Sequence, residues 1–152
     1  MSGTFASPNN APLLASDSLS RFRRLRLRAF GSSMLPNILP GDVLDFEPSV
    51  AAGIEPGDVV LYRREDGGLA VHRIVACSDQ GLLAQGDGLH YTDPRVDHAR
   101  LLGRMIGHHR RGRALRMRRP RHLWLSRWLF GRSSLAARIF LRWHHAVSRA
   151  SG

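Results

Sequence analysis

There is no lysine in this chain of 152 residues: all 23 of its basic side chains are arginine. That excludes a lysine amine as general base or Schiff-base nucleophile, whatever chemistry the chain performs. Cysteine is nearly as scarce. Cys77 is alone, so neither an intrachain disulfide nor a cysteine-based zinc cluster can form, and its place at the end of a β-rich run reads as a small buried hydrophobe. No uninterrupted apolar run approaches the roughly 18 to 20 residues that span a bilayer. The opening ten residues, Met1 to Asn10, have neither the basic n-region nor the apolar h-region of a secretory signal. The expectation is a protein with no signal peptide and no transmembrane segment, either cytoplasmic or peripheral on a membrane surface.

Acids are missing from the last third of the chain. Residues 98–152 carry fourteen arginines and no Asp or Glu, whereas residues 1–97 hold nine arginines against all twelve acids, a balance of −3. A nearly neutral body with a cationic tail points to an anionic lipid surface, a nucleic acid or an acidic partner. A chain of this length has room for one domain with a single modest core.

The body is patterned for strands. Arg24 to Phe30 alternates, with Leu25 and Leu27 on one face and arginines on the other, as a half-buried strand requires. Short β-rich runs recur at 42–46, 57–62, 69–76, 82–84 and 101–106. Between them lie turn-formers: two Pro-bearing steps at 35–41, Asp66-Gly67-Gly68, Gly86-Asp87-Gly88 and Thr92-Asp93-Pro94. Many short strands at this spacing predict a mainly β core over residues 21–110. Residues 1–20, rich in Ser, Asn, Pro and Ala without periodicity, read as a disordered arm. Residues 111–152 read as a basic tail of two short amphipathic helices joined near 131–134, with Trp124, Trp128 and Trp143 on its apolar faces.

Within the body, Gly31-Ser32-Ser33-Met34-Leu35-Pro36 displays a serine where a strand enters a turn flanked by Gly and Pro. A displayed serine attacks a carbonyl when a base takes its proton. Histidine suits that task near neutral pH, its ordinary pKa being about 6.5, and His72 sits on a strand predicted to return from a hairpin.

The segment 31–42, ending in Leu39-Pro40-Gly41-Asp42, resembles the nucleophile box of the signal peptidase family, in which Ser precedes Met, then Pro, then a Gly-Asp pair. The resemblance places the nucleophile on Ser33. Ser32, its neighbour, lacks the following Met. Gly57-Asp58-Val59-Val60 with the return arm Val71-His72-Arg73-Ile74-Val75 resembles the family's second box, whose base is Lys in the common bacterial branch and His in the endoplasmic-reticulum and archaeal branch; here it falls on His72. A third segment, Gln85 to Asp93, resembles the family's Gly-Asp-Asn-Asn box with Gly88 and Leu89 in place of the asparagines. It implies that Asp93 orients His72 and that Asp87 supports the site; both aspartates otherwise read as turn caps. Where many members place an oxyanion-stabilising hydroxyl this chain has Gly31, which leaves the Ser33 N–H, with the Ser32 hydroxyl or another group as second donor.

By resemblance, then, the fold is a signal-peptidase or repressor-protease-like β core. The activity is that of a serine endopeptidase, without metal or cofactor, that cuts an extended peptide after small residues. The substrate would lie along the strand 24–30. Rivals are a cytoplasmic maturation or self-cleaving peptidase of the same fold and a noncatalytic adaptor for membrane surface or nucleic acid. For the tail, residues 120–149 fit an anionic membrane surface or packing on the β core. Nucleic acid is the weakest of these partners, for no recognition motif accompanies the arginines. The adjacent pairs His108-His109 and His144-His145 diverge and have no nearby carboxylate, so they make poor metal ligands.

Overall fold

A computed structural model describes residues 11–116. Seven antiparallel strands form one sheet: β1 (Leu25–Arg28), β2 (Val43–Pro48), β3 (Val59–Arg63), β4 (Leu69–Ser78), β5 (Gly81–Gln85), β6 (Leu101–Arg110) and β7 (Arg113–Ala114). Their order is β1-β2-β6-β3-β4-β5, with β7 added to the end of β6. The mainly β expectation holds, and each predicted run from 24–30 to 101–106 lies on one of these strands. The β3–β4 hairpin turns through Gly67, whose φ of +83 lies where glycine is favoured.

The central strand β3 is buried on both faces. Val59 and Leu61 join Leu44, Phe46, Met34 and Ile38 in one cluster; Val60 and Tyr62 join Ile74, Leu82, Ala84 and Leu101 in the other. Period-2 alternation on a continuous apolar run, Val59 to Tyr62, produces this two-sided burial. Each fully buried aliphatic or aromatic side chain contributes about 1.5–3 kcal/mol relative to exposure. The strand at the centre of the fold is therefore anchored on both faces.

Two expectations are corrected here. Residues 11–20, read as part of a disordered arm, are helical: α1 spans Ala11–Phe22 and buries Pro12, Ala15 and Leu19. Those three positions recur at helical spacing on one face, and Leu19 and Ala15 close the first cluster. Proline belongs in the first turn of a helix, and Asp17 pairs with Arg21 one turn on, at 2.7 Å. The serines between hide the stripe. Cys77, read as buried, is exposed, because β4 runs on past Ile74, its last fully buried residue. The tail helices and Trp124, Trp128 and Trp143 lie outside the described residues. Among the described residues no helix is long and apolar enough to cross a membrane.

Candidate active site

Residues 30–41 form a loop pinched at its base. Ala29 N–H donates to Asp42 O at 2.7 Å and Gly41 N–H to Ala29 O at 2.8 Å. Asp42, buried behind this base, accepts from Leu39 N–H at 2.8 Å, from both arms of Arg110 at 2.9 and 2.8 Å, and contacts His108 Nε2 at 2.7 Å. Burial works to raise the Asp42 carboxyl; the hydrogen bonds from Arg110, Leu39 and His108 prevail and hold it below its ordinary value. The loop that presents Ser33 is thus tied to β6 at its far end. His109 likewise meets Asp45, at 2.9 Å. The reading that the pair 108–109 has no carboxylate nearby is corrected: pairing of β2 with β6 brings Asp45 to His109 and the residue before β2, Asp42, to His108.

The loop's other face is held by residues 86–88. Gly88 N–H donates to Ser33 O at 2.8 Å. A β-carbon at Gly86 would stand 2.5 Å from that same carbonyl oxygen, and one at Gly88 3.1 Å from Leu35 O. Glycine is what allows backbone to lie on backbone at Gly86; at Gly88, a departure from the resemblance, a side chain would be crowded and the facing backbone would have to give by a few tenths of an ångström.

Asp87 lies between these glycines with 3 % exposure, and Arg73 on β4 is equally buried. The guanidinium of Arg73 grips it with two bonds of 2.8 and 2.7 Å and donates a third to Gly57 O at 2.8 Å. Asn37 of the nucleophile loop donates to the Asp87 carboxylate at 2.8 Å. One buried carboxylate therefore joins the loop bearing Ser33, the strand bearing His72 and the turn before β3. Asp87 sits beside the site and touches neither Ser33 nor His72 through any recorded bond among the described residues; its contacts are structural. Arg73 and Asn37 were not singled out from the sequence, and their pairing depends on contacts across 14 and 50 positions.

His72, opposite Val60 in the β3–β4 ladder, projects to the other face from Arg73. Its Nε2 lies 3.0 Å from Ser33 Oγ and its Nδ1 2.5 Å from Asp93 Oδ2. Asp93 stands on the loop after β5, its N–H donating to Ala84 O at 2.8 Å. Burial works to raise the Asp93 carboxyl, but hydrogen bonds from His72 and Tyr62, then the charges of His72 and Arg64, hold it below its ordinary value. An ionised Asp93 can only accept, which assigns the proton to Nδ1 and leaves the Nε2 lone pair facing the Ser33 hydroxyl.

The three residues read from separate segments of the sequence are therefore contiguous in hydrogen-bond distance. Compared with family models and with curated proteins, the chain finds no match in either. The functional reading rests on geometry.

Around Ser33 runs a groove of about 940 Å³ lined by Arg28, Phe30, Ser32, Val71, Leu89 and Tyr91, among others. Ser32 is exposed beside the nucleophile position. Gly31 adopts a φ of +77, which disfavours any side chain; the backbone itself accounts for the missing hydroxyl at that position. Sequence reasoning missed Tyr62, whose hydroxyl donates to Asp93 Oδ2 at 2.6 Å. Among the described residues, no group of three or more His, Cys, Asp or Glu is placed to hold a metal ion.

Proposed function

We propose that this chain is a serine endopeptidase of the signal-peptidase superfamily that works with Ser33 as nucleophile, His72 as general base and Asp93 as its orienting carboxylate. The observation that carries the reading is the unbroken chain of contacts Ser33 Oγ to His72 Nε2, 3.0 Å, and His72 Nδ1 to Asp93 Oδ2, 2.5 Å, opening on a groove.

In this reading a peptide lies extended in the groove. Ser33 Oγ attacks the scissile carbonyl carbon while His72 Nε2 takes the hydroxyl proton; the resulting imidazolium is stabilised by Asp93. Collapse of the tetrahedral intermediate breaks the C–N bond, and His72 gives its proton to the leaving amine. Water, deprotonated by the same imidazole, then hydrolyses the acyl-enzyme. The oxyanion falls to the Ser33 N–H and the Ser32 hydroxyl, and a hole short of one donor costs about 100-fold or more in rate. Slow turnover is expected.

Strand β1 ends the sheet, and an edge strand accepts a further strand by backbone hydrogen bonding. Substrates with small residues before the cut follow from the resemblance. The test compares wild type, Ser33→Ala and His72→Ala on peptides carrying an Ala-X-Ala site near neutral pH, with lipid present. Cleavage by wild type alone is the expected result; equal rates in all three would sink the reading.

A further inference from the structure

We propose that Tyr62 is a positioning residue of this site, its hydroxyl sharing Asp93 Oδ2 with His72 Nδ1 so that it fixes the carboxylate and moderates how strongly the carboxylate supports the imidazolium. The inference deepens the peptidase reading and rests on it for catalysis, though not for the imidazole titration.

Asp93 stands on a loop, whereas Tyr62 stands on β3, which is paired on both sides by β4 and β6. The Tyr62 ring is 3 % exposed and packs in the second hydrophobic cluster. It meets the His72 ring edge-on with centroids 6.3 Å apart. A rigid strand thus holds a donor 2.6 Å from Asp93 Oδ2, while His72 Nδ1 approaches the same oxygen at 2.5 Å. The Tyr62 hydroxyl lies 3.3 Å from Nδ1, a secondary contact. Burial, then the hydrogen bond and charge of Asp93, push the phenol far above its ordinary value, so it stays protonated and stays a donor.

Among the described residues, three groups contact the His72 ring. Tyr62 faces it from β3, Ser33 from the nucleophile loop and Asp93 from the loop after β5. Arg64 acts by charge on both Asp93 and Tyr62, and Arg73, next to His72, is committed to Asp87. A donor on Oδ2 withdraws negative charge from the carboxylate. Its removal concentrates that charge on His72 and favours the imidazolium. The hydrogen bond to Oδ2, at 2.6 Å against the 3.3 Å contact with Nδ1, sets the sign: Tyr62→Phe raises the protonation midpoint of His72, and a base that must be neutral becomes available only at higher pH.

The experiment follows the imidazole of His72 by nitrogen-15 NMR in the full chain, with His72→Gln identifying its signals. In Tyr62→Phe the midpoint should rise by about 0.5 to 1 pH unit, the size set by one hydrogen bond. Labelling of Ser33 by a fluorophosphonate should show the same shift of its acidic limb, and a plateau about five- to tenfold lower. A tyrosine that served packing alone would lower the plateau and leave the midpoint in place; that result overturns the inference. If wild type does not label, the peptidase reading falls, and the NMR midpoint decides the role of Tyr62 by itself. Should Tyr62→Phe fail to fold, 3-fluorotyrosine incorporated in a Tyr91→Phe background gives the opposite perturbation. Its phenol is the stronger donor, so the midpoint must fall, and a midpoint that stays or rises overturns the proposal.

Discussion

The α-carbon of Gly86 faces the carbonyl oxygen of Ser33 so closely that a β-carbon would stand 2.5 Å from it. The obstacle is backbone, which cannot rotate away as a flexible side chain would. Gly86→Ala should therefore move the nucleophile loop, with an overpacking cost of about 1–3 kcal/mol. Because displacement of a reacting group by about 1 Å can cost 100-fold, fluorophosphonate labelling of Ser33 should fall by about that factor while the chain still melts cooperatively. Labelling at the wild-type rate would show that the loop does not depend on this contact.

Arg73 and Asp87 form the most deeply buried ion pair of the described residues, their side chains 4 % and 1 % exposed. Asp87→Ala leaves a guanidinium in the interior with only the Gly57 carbonyl as recorded partner. Removal of one member of a buried pair costs about 3–5 kcal/mol, a large share of the roughly 5–15 kcal/mol that holds a domain together. The urea midpoint should drop accordingly with an unchanged slope. Removing both charges, in Arg73→Met with Asp87→Leu, should recover much of the loss, since the penalty belongs to the unpaired charge. A single variant as stable as wild type would mean that water reaches Arg73.

Stability should fall in acid through Asp42 and Asp93. Each is held below the ordinary value of 3.8 in the folded chain, so the unfolded chain binds protons first as pH falls. The contribution of these carboxylates is fully present above that value and is lost as pH drops through their lower folded values. The share that these two carboxylates give to the urea midpoint should be level from neutrality down to about pH 5 and decline below about pH 4. Asp42→Asn should be less stable at neutrality and show a shallower acid decline; a decline of unchanged depth would assign the acid sensitivity elsewhere.

Local pattern explains what could be read before the fold was known. Ser33, His72, Asp87 and Asp93 each sit in a short run with its own punctuation, but it is the resemblance of those runs to the family's boxes that singles them out; the strands around them follow from alternation. The helix α1 escaped because Ser16, Ser18 and Ser20 interrupt an apolar stripe of only three buried positions. Tyr62 escaped because nothing within β3 marks it: in sequence it is one more residue of a buried strand, and its partner lies 31 positions away. The same holds for His108 and His109, whose carboxylates, Asp42 just before β2 and Asp45 within it, arrive across more than 60 positions. Contacts that depend on sheet register leave no signal in either strand alone.

The direction of β1's backbone yields one further prediction. Ala29 gives its N–H to Asp42 and takes one from Gly41, so its polar groups point toward β2. Successive residues of a strand point their N–H and C=O groups to alternate sides; those of Arg28, which lines the groove, therefore point to the open edge. If a substrate peptide pairs there, Arg28→Pro deletes one donor to the substrate and no donor to the sheet. The loss of a single hydrogen bond, about 1 kcal/mol, corresponds to about fivefold in affinity. KM for an extended peptide should rise by that factor, while fluorophosphonate labelling of Ser33, which needs no strand pairing, should hardly change. Arg28→Ala separates the side chain from the backbone: it keeps the N–H, and a KM near that of wild type in Ala together with a raised KM in Pro would locate the substrate on the β1 edge. Equal KM values in all three proteins would place the peptide elsewhere in the groove.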